Sequence, residues 1–241
     1  MDDRTKQKLL NDLMLSRGQM EKIASERVAE ISKEFTAGFK FLADYPKSVT
    51  FFGSNQTKES DQYYQSARIL SGRLVKELGF SVVSGGGPGI MEAADRGAYE
   101  AGGNSLGLLI QLPDEQPINP FITQSISFHY FFVRKVCLTF GAEVFIFYPG
   151  GFGTLDEFFE IITLIQTKKI GNIPVICVGS DYWNKLKSFM EEEMLAHGAI
   201  EPAHLNLFTI TDSHDEIVDI IKKVPVKISV PFTEIDQKVA V

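Results

Sequence analysis

The sequence predicts an α/β fold in which a doubly wound parallel sheet follows an N-terminal helical extension. From Ser48 onwards, short apolar runs alternate with helical stretches, which is the pattern of β-α-β units. Before about Asp44 the chain is instead rich in Lys, Glu and Arg, with apolar residues recurring at helical spacing. We therefore divide the chain into an extension over residues 1–45, a sheet domain over residues 46–225 and a C-terminal tail over residues 226–241.

The extension is predicted to form one amphipathic helix, with Gly18 as the place where it could break. Its polar face carries charges of both signs, so we expect it to pack on the sheet domain or on a neighbouring subunit rather than on a membrane. The apolar positions are Met20, Ile23, Val28, Ile31, Phe35, Phe39 and Leu42.

Six strands and six helices are predicted after the extension. The strands are placed at residues 49–52, 81–84, 106–110, 144–148, 175–178 and 207–210. The helices are placed at residues 61–78, 90–101, 130–141, 154–167, 182–196 and 214–222. The longest loop inside the domain is expected at residues 112–120.

Composition excludes several classes of partner. The net charge of −7 argues against a protein that holds nucleic acid through its phosphate backbone. Only two cysteines occur, both in apolar stretches, and no segment reads as a signal peptide or membrane span, so we expect free thiols and a cytoplasmic location. The four histidines have no ligand spacing, so no metal site is expected. No cofactor is expected either.

Glycine marks the ends of three predicted strands. The turns are Gly53-Ser54, Gly85-Gly86-Gly87-Pro88-Gly89 and Gly150-Gly151-Phe152-Gly153. In a parallel sheet, ligands bind outside the carboxyl ends of the strands, so all three turns should open on one edge.

The third turn leads from a buried strand into a helix and predicts a phosphate site. Glycines permit close approach of a ligand, and the helix start offers unpaired N–H groups. Thr154 would cap the helix or donate its hydroxyl to the phosphate. Asp156 and Glu157 are expected in the first helical turn, where the helix dipole alone explains Asp156. From spacing alone, Glu157 fits two explanations equally well: the helix dipole, or a role in orienting water.

The second turn does not match the dinucleotide fingerprint. Ile90 stands where the third glycine belongs, and no acidic residue ends the next strand, so NAD is disfavoured. Arg134 and Lys135 lie on an otherwise apolar helix. An arginine fits a phosphate or carboxylate in two-point contact, whereas Lys135 alone could simply be a solvated edge.

Three segments together resemble the LOG ("Lonely guy") phosphoribohydrolases, in their longer bacterial form. They are residues 85–94, the Phe131-Phe132-Val133-Arg134-Lys135 run and residues 149–157, which reads Pro-Gly-Gly-Phe-Gly-Thr-Leu-Asp-Glu. The resemblance implies a Rossmann-like fold that binds a nucleoside 5′-monophosphate and hydrolyses its N-glycosidic bond, releasing free base and ribose 5-phosphate. It covers roughly residues 49–221.

The same resemblance implies a set of site residues. Arg134 and Glu157 look like the catalytic pair, with AMP or a cytokinin riboside 5′-monophosphate as the nucleotide substrate. It also implies a homo-oligomer, at least a dimer, with no membrane or nucleic-acid partner. The implied substrate contacts are Gly53, Ser54, Gly86, Gly87, Glu115, Lys135, Gly150, Gly151, Phe152, Gly153, Thr154, Leu155, Asp156 and Thr163.

Two alternatives remain open. Some relatives on this fold bind molybdenum cofactor, so the chain could be a non-hydrolytic nucleotide or cofactor carrier. The helical extension could instead serve mainly as an interaction segment between subunits. Family members are often labelled lysine decarboxylases, but such enzymes need a lysine in a pyridoxal-phosphate site, and Lys135, Lys168 and Lys169 do not suit that role.

Overall fold

A computed structural model describes residues 17–111 and 118–225 as a seven-stranded parallel sheet flanked by helices. Across the sheet the strands run in the order β4-β3-β2-β1-β5-β6-β7. The strands are β1 (Ser48–Phe52), β2 (Ser81–Ser84), β3 (Ser105–Ile110), β4 (Gln124–Phe128), β5 (Val144–Phe147), β6 (Val175–Cys177) and β7 (Thr209–Ile210). The α-helices are α1 (Arg17–Ala43), α2 (Gln62–Leu78), α3 (Ile90–Glu100), α4 (Phe131–Phe140), α5 (Phe152–Gln166), α6 (Ser180–Phe189) and α7 (His214–Lys222).

Helices cover both faces of the sheet, which confirms the doubly wound architecture. Along β5, Phe145 and Phe147 lie in one core with side chains of α1, α4, α5 and α6, whereas Val144 and Ile146 lie in the other with α2, α3 and α7. Successive residues of a strand point to opposite faces. A run of four consecutive buried residues in β5 is therefore explained by a strand that is covered on both sides.

The predicted common edge for the three glycine turns is confirmed. Strand β1 pairs in parallel with β2 on one side and with β5 on the other, so the turns after these three strands are neighbours. The chain runs outward through β2, β3 and β4 in one direction and through β5, β6 and β7 in the other. The boundary between β1 and β5 is thus the point at which the strand order reverses, where open sheets bind ligands.

The strand β4 is missing from the sequence-based prediction. It lies at the edge of the sheet beside β3, and only Phe128 of its five residues is buried. Polar residues at exposed edge positions conceal the apolar alternation, so the run Gln124-Ser125-Ile126-Ser127-Phe128 lacked a clear strand pattern. No α-helix lies in the described part of the β3–β4 connection; residues 112–117 fall outside the described ranges.

Two later elements also differ from the prediction. Strand β7 is only two residues long, because the chain just before it forms a 3-10 helix, Pro202–Asn206. The helix predicted over residues 182–196 begins earlier, as α6, and then continues as a π-helix over Met190–Leu195. Neither change moves a residue of the predicted site.

Helix α1 is described from Arg17 onwards, so the predicted break near Gly18 is not tested, and the helix packs on the domain through its second half. Phe35, Phe39 and Leu42 lie against the core, whereas the side chains of Met20 and Val28 are 56% and 64% exposed. The predicted packing on the sheet domain is therefore confirmed for the second half of the helix only. Within the described ranges, no helix is both long and apolar enough to cross a membrane.

The second half of α1, which packs on the domain, also makes hydrogen bonds to the start of α4. The carboxylate of Glu34 accepts hydrogen bonds from the backbone N–H groups of His129, at 2.8 Å, and Tyr130, at 3.2 Å, just before α4 begins. Unpaired N–H groups at a helix start favour a carboxylate at that position. Cys137, on the same helix, is a buried free thiol, as predicted, and faces Gly38.

We expect Gly38→Ala to destabilise the protein. A Cβ atom at Gly38 would lie 2.5 Å from the Cys137 Sγ and 3.1 Å from the Phe128 ring, so α1 would have to shift. Overpacking of this kind costs roughly 1–3 kcal/mol, which exceeds the gain in helix propensity of roughly 1 kcal/mol. Thermal unfolding measures the effect. Gly18→Ala is the control in the same helix, since nothing lies within 4 Å of its added Cβ; equal melting temperatures for the two variants would contradict the packing argument.

Candidate active site

Backbone hydrogen bonds join the three glycine turns into one surface. The N–H of Ser54 donates to the carbonyl of Pro149 at 3.1 Å, and the N–H of Ile90 donates to the carbonyl of Ser54 at 3.0 Å. The first turn therefore links the other two. Gly53 and Ser54, predicted as substrate contacts, lie in the middle of this surface.

The third turn leaves the start of α5 without a side-chain cap. The helix begins at Phe152, with Gly151 as its N-cap residue, so the prediction that Thr154 caps the helix is wrong. Thr154 is the third helical residue, and its side chain is buried against Gly150. Within residues 17–111 and 118–225, the first N–H groups of α5 have no side-chain acceptor, which is the feature that anion sites at helix starts use.

The earlier start of α5 also corrects the position of the two acidic residues. Asp156 and Glu157 are the fifth and sixth residues of the helix, and its first turn contains no acidic residue. The helix dipole acts mainly on the first turn, so it explains neither carboxylate well. The reason for an acidic residue at each position must come from their tertiary contacts.

Glu157 is a buried carboxylate with an unused oxygen. The residue is 9% exposed, and its Oε2 atom has no hydrogen-bond partner among the described residues. Burial raises the pKa of Glu157 to about 7; nearby Glu160 and Asp156 add to the rise, whereas Lys135 and Arg134 oppose it. A buried, under-bonded carboxylate that titrates near neutral pH is typical of a functional site.

Arg134 lies on α4 over the second glycine turn. Its Nε donates to the Leu108 carbonyl at 2.6 Å, and one terminal nitrogen lies 3.5 Å from the Gly85 carbonyl. A Cβ atom at Gly85 would overlap that nitrogen, so only glycine admits the guanidinium there. Burial lowers the pKa of Arg134, and the charge of Glu157 opposes this shift. Arg134 and Glu157 therefore act on each other electrostatically, although no ion pair joins them in the described part of the chain.

Lys135 is not a simple solvated edge. Its ammonium contacts Asp156 at 2.8 Å and Glu160 at 2.9 Å, and so it joins α4 to α5. Burial opposes the charged form, but these two hydrogen bonds outweigh it and raise the pKa of Lys135 above its usual range. Sequence reasoning missed Glu160, although its spacing of four residues from Asp156 places both on one helix face.

A groove of about 720 Å³ runs beside this ion pair along α5. It brings together five of the predicted contacts, Lys135, Phe152, Leu155, Asp156 and Thr163, with walls completed by other α5 side chains. Phe152 is 94% exposed at its mouth. Gly86 and Gly87 lie instead in the second turn, and Glu115 lies outside the described residues. The substrate-contact assignments stay predictions.

Beneath the second turn lies a buried polar cluster that the sequence did not reveal. Asp95 on α3 is fully buried, and its Oδ2 accepts hydrogen bonds from the Ser84 hydroxyl and the Asn119 amide, both at 2.7 Å. Its only sequence signal is a charged residue on the apolar face of a helix, amid Ala93, Ala94 and Ala98.

Solved structures show the fold of this chain to be shared. A molybdenum cofactor binding protein from Rippkaea orientalis aligns with a TM-score of 0.54 at 22% identity, covering 73% of this chain and 94% of that one. The molybdenum cofactor carrier protein of Chlamydomonas reinhardtii gives 0.53 at 20% identity, covering 74% and 98%. At this identity the likeness shows the fold alone.

Sequence comparison finds relatives with a stated activity. A cytokinin riboside 5′-monophosphate phosphoribohydrolase of Arabidopsis thaliana is 29% identical over 174 residues, which is 71% of this chain and 75% of that protein. A bacterial protein of the same name, from Rhodococcoides fascians, is 29% identical over 161 residues, or 66% of this chain and 80% of its own.

A family model described as "Possible lysine decarboxylase" matches residues 91–221, which include Arg134, Glu157 and the third glycine turn. The match spans more than half of the chain and agrees with the named relatives. On these grounds the chain belongs to the LOG family, to which that description is attached.

Proposed function

We propose that this protein hydrolyses the N-glycosidic bond of a nucleoside 5′-monophosphate, AMP or a cytokinin riboside 5′-monophosphate, to free base and ribose 5-phosphate. The observation that carries the proposal is Glu157, a buried carboxylate on the helix that follows the third glycine turn. One of its oxygens has no partner among the described residues, and it interacts electrostatically with Arg134. Relatives named for this activity, at about 28–29% identity, support the same reaction class.

Glu157 supplies the negative charge that the reaction needs. Breaking the bond between C1′ and the base nitrogen builds positive charge on the ribose, which a nearby carboxylate stabilises. A water oxygen then bonds to C1′, and Glu157 takes the proton that this water loses. Because burial holds its pKa near 7, the carboxylate is basic enough to accept that proton.

Arg134 is proposed to assist departure of the base. The bonding electrons of the broken C1′–N bond pass to the base nitrogen, where the Arg134 guanidinium stabilises the developing charge. The nitrogen then takes a proton from solvent, and Glu157 releases to solvent the proton that it took from the attacking water. A cation that is partly buried acts more strongly on that developing charge than one in water. Because Leu108 occupies its Nε, the terminal nitrogens of Arg134 are the groups that face the substrate.

The phosphate would bind at the start of α5, remote from the bond that breaks. The uncapped N–H groups after Gly151 provide donors, and added Cβ atoms at Gly151 or Gly153 would meet no other atom, so the space in front is open. Binding energy gained there can hold the ribose against Glu157.

The decarboxylase description does not fit Lys135. A lysine that forms an imine must give up its proton near neutral pH, which enzymes achieve by lowering its pKa. Asp156 and Glu160 have the opposite effect on Lys135. Its ammonium is better suited to fixing the separation of α4 and α5.

A non-hydrolytic carrier is the second candidate function. It is supported by the two proteins of the same fold that are named for binding or carrying molybdenum cofactor. A carrier holds its ligand without breaking a bond, so it has no need of a basic buried carboxylate. Retention of a ligand without base release from any nucleoside monophosphate would favour the carrier over the hydrolase.

We also propose that the protein is a homo-oligomer, at least a dimer. Phe132, Val136 and Phe140 recur every four residues along α4, and all three are exposed although apolar. Phe131 is also exposed at the start of α4, and Phe152 is exposed at the start of α5. We call these five residues the α4 apolar patch. An apolar patch of this kind on a chain of this size is typical of a protein interface.

Glu157→Gln and Arg134→Ala should each abolish most base release from AMP. Loss of a general base typically costs about 10²–10⁴ in rate. Glu191→Gln and Arg27→Ala are the matched controls, since Glu191 pairs only with a surface lysine and Arg27 is exposed on α1. Chromatography of adenine, with circular dichroism to check folding, measures the result. Undiminished release in both site variants would contradict the proposal.

The rate should rise with pH through the pKa of Glu157. The carboxylate is the active form, so kcat/KM should increase about tenfold per pH unit below 7 and level off above it. A raised pKa in the folded state also means that stability decreases as pH rises from about 4.5 through 7. The residual rate of Glu157→Gln should lack this ascending limb. A wild-type profile that stays level down to pH 5 would exclude Glu157 as the base.

Val136→Glu should dissociate the oligomer. A carboxylate in the middle of the α4 apolar patch would be desolvated by a neighbouring subunit, at a cost of several kcal/mol. Ile69→Glu on α2 is the control, because Ile69 is an exposed apolar residue outside the patch. Light scattering coupled to size exclusion gives the mass. If Val136→Glu keeps the wild-type mass, or if the wild type is already a monomer, the patch is not the interface.

A further inference from the structure

We infer that Asp95 is a positioning residue: through Ser84 and Asn119 it holds the second glycine turn in place, and through that turn it places Arg134. Asp95 does not itself face the substrate, since its side chain is fully buried. The inference rests on the proposed function only for its kinetic consequences.

The first link joins Asp95 to the end of β2. The Ser84 hydroxyl donates to Asp95 Oδ2 at 2.7 Å, and the Ser84 Oγ atom accepts a hydrogen bond from the N–H of Gly86 at 2.9 Å. A hydroxyl that donates in one direction and accepts from another has its rotation fixed. Gly86 has a φ of +74°, a backbone conformation that glycine adopts readily, and the Ser84 oxygen holds its amide in that conformation.

The second link joins Asp95 to the chain that enters β4. The Asn119 side-chain amide donates to Asp95 Oδ2 at 2.7 Å and to the Gly87 carbonyl at 3.1 Å. The backbone N–H of Asn119 donates to the Gly86 carbonyl at 3.0 Å. One carboxylate oxygen thus fixes two donors, and those donors hold Gly86 and Gly87 from two sides.

The turn held in this way carries Arg134. The guanidinium lies against Gly85, where its terminal nitrogen is 3.5 Å from the carbonyl and where no Cβ would fit. A shift of the turn therefore shifts the guanidinium. Since Asp95 makes no contact with the third turn, we expect the phosphate site to be unaffected.

The electrostatic setting agrees with a structural carboxyl group. Burial raises the pKa of Asp95 to about 7, the hydrogen bonds from Asn119 and Ser84 oppose the rise, and Glu92 adds to it. The second oxygen, Oδ1, has no partner among the described residues. In this cluster the Oδ2 atom of Asp95 accepts two hydrogen bonds, and the side-chain oxygen of an asparagine can also accept two.

The kinetic test compares Asp95→Ala, Asp95→Asn and Glu100→Gln. Glu100 is the control carboxylate on the same helix, where it pairs with Arg68 and Arg96 at the surface. Asp95→Ala should lower kcat for base release from AMP by about ten- to a hundredfold, as small misplacements of a reacting group do, with KM changed less than about threefold. Asp95→Asn should restore kcat to within about threefold of wild type, because its carbonyl oxygen accepts both bonds.

A second readout needs no activity. Hydrogen–deuterium exchange of a peptide covering residues 84–89 should be about tenfold faster in Asp95→Ala, because the Gly86 amide loses its fixed acceptor, and unchanged in Asp95→Asn. If the wild type released no base from any nucleoside monophosphate, the proposed function would fail, and exchange alone would decide the role of Asp95.

Three results would overturn the inference. The first is a folded Asp95→Ala protein with the kcat and the exchange rate of wild type. The second is an Asp95→Asn protein that is as impaired as Asp95→Ala. The third is an Asp95→Ala protein with a raised KM and an unchanged kcat. If Asp95→Ala does not fold, Ser84→Ala takes its place, since it removes only a hydroxyl. That variant should lower kcat and speed exchange in the same direction, and wild-type values for both would equally reject the positioning role.

Discussion

The parallel pairing of β1 between β2 and β5 is the constraint on which the rest of the site depends. It places three glycine turns side by side at the carboxyl edge of the sheet, and two backbone hydrogen bonds through Ser54 then join them. Each turn alone is an ordinary connection between a strand and a helix. Together they form one surface at the point where the strand order reverses, with helix starts available to an anion.

Charge is distributed unequally around that surface. Lys135 forms ion pairs with Asp156 and Glu160, whereas Glu157, between them in sequence, is buried and forms no ion pair within the described residues. Asp156 and Glu160 lie four residues apart on α5, so they share the helix face that meets Lys135. Burial raises the pKa of Glu157, and the nearby charges of Lys135 and Arg134 only partly oppose that rise.

The helical extension contributes more than a cover. Glu34 holds the N–H groups that precede α4, and Gly38 allows α1 to approach Cys137 closely. Helix α4 carries Arg134, so the extension supports the helix that holds one half of the predicted catalytic pair. Asp95 supports the guanidinium from beneath, through hydrogen bonds that span three separate segments of the chain. Rigid support of this kind preserves the geometry on which catalysis depends.

The sequence by itself determined the doubly wound fold and the shared edge of the glycine turns, because these follow from local periodicity and turn chemistry. It did not reveal β4, since an edge strand with one buried residue in five has almost no apolar pattern. It also misjudged the start of α5, where glycine rather than Thr154 is the N-cap. Only the tertiary structure decided that Lys135 is paired, that Glu157 is not, and that Asp95 lies under the second turn. Ser84, Asp95 and Asn119 are up to 35 residues apart in the chain, so their hydrogen bonds exist only after folding has brought those segments together.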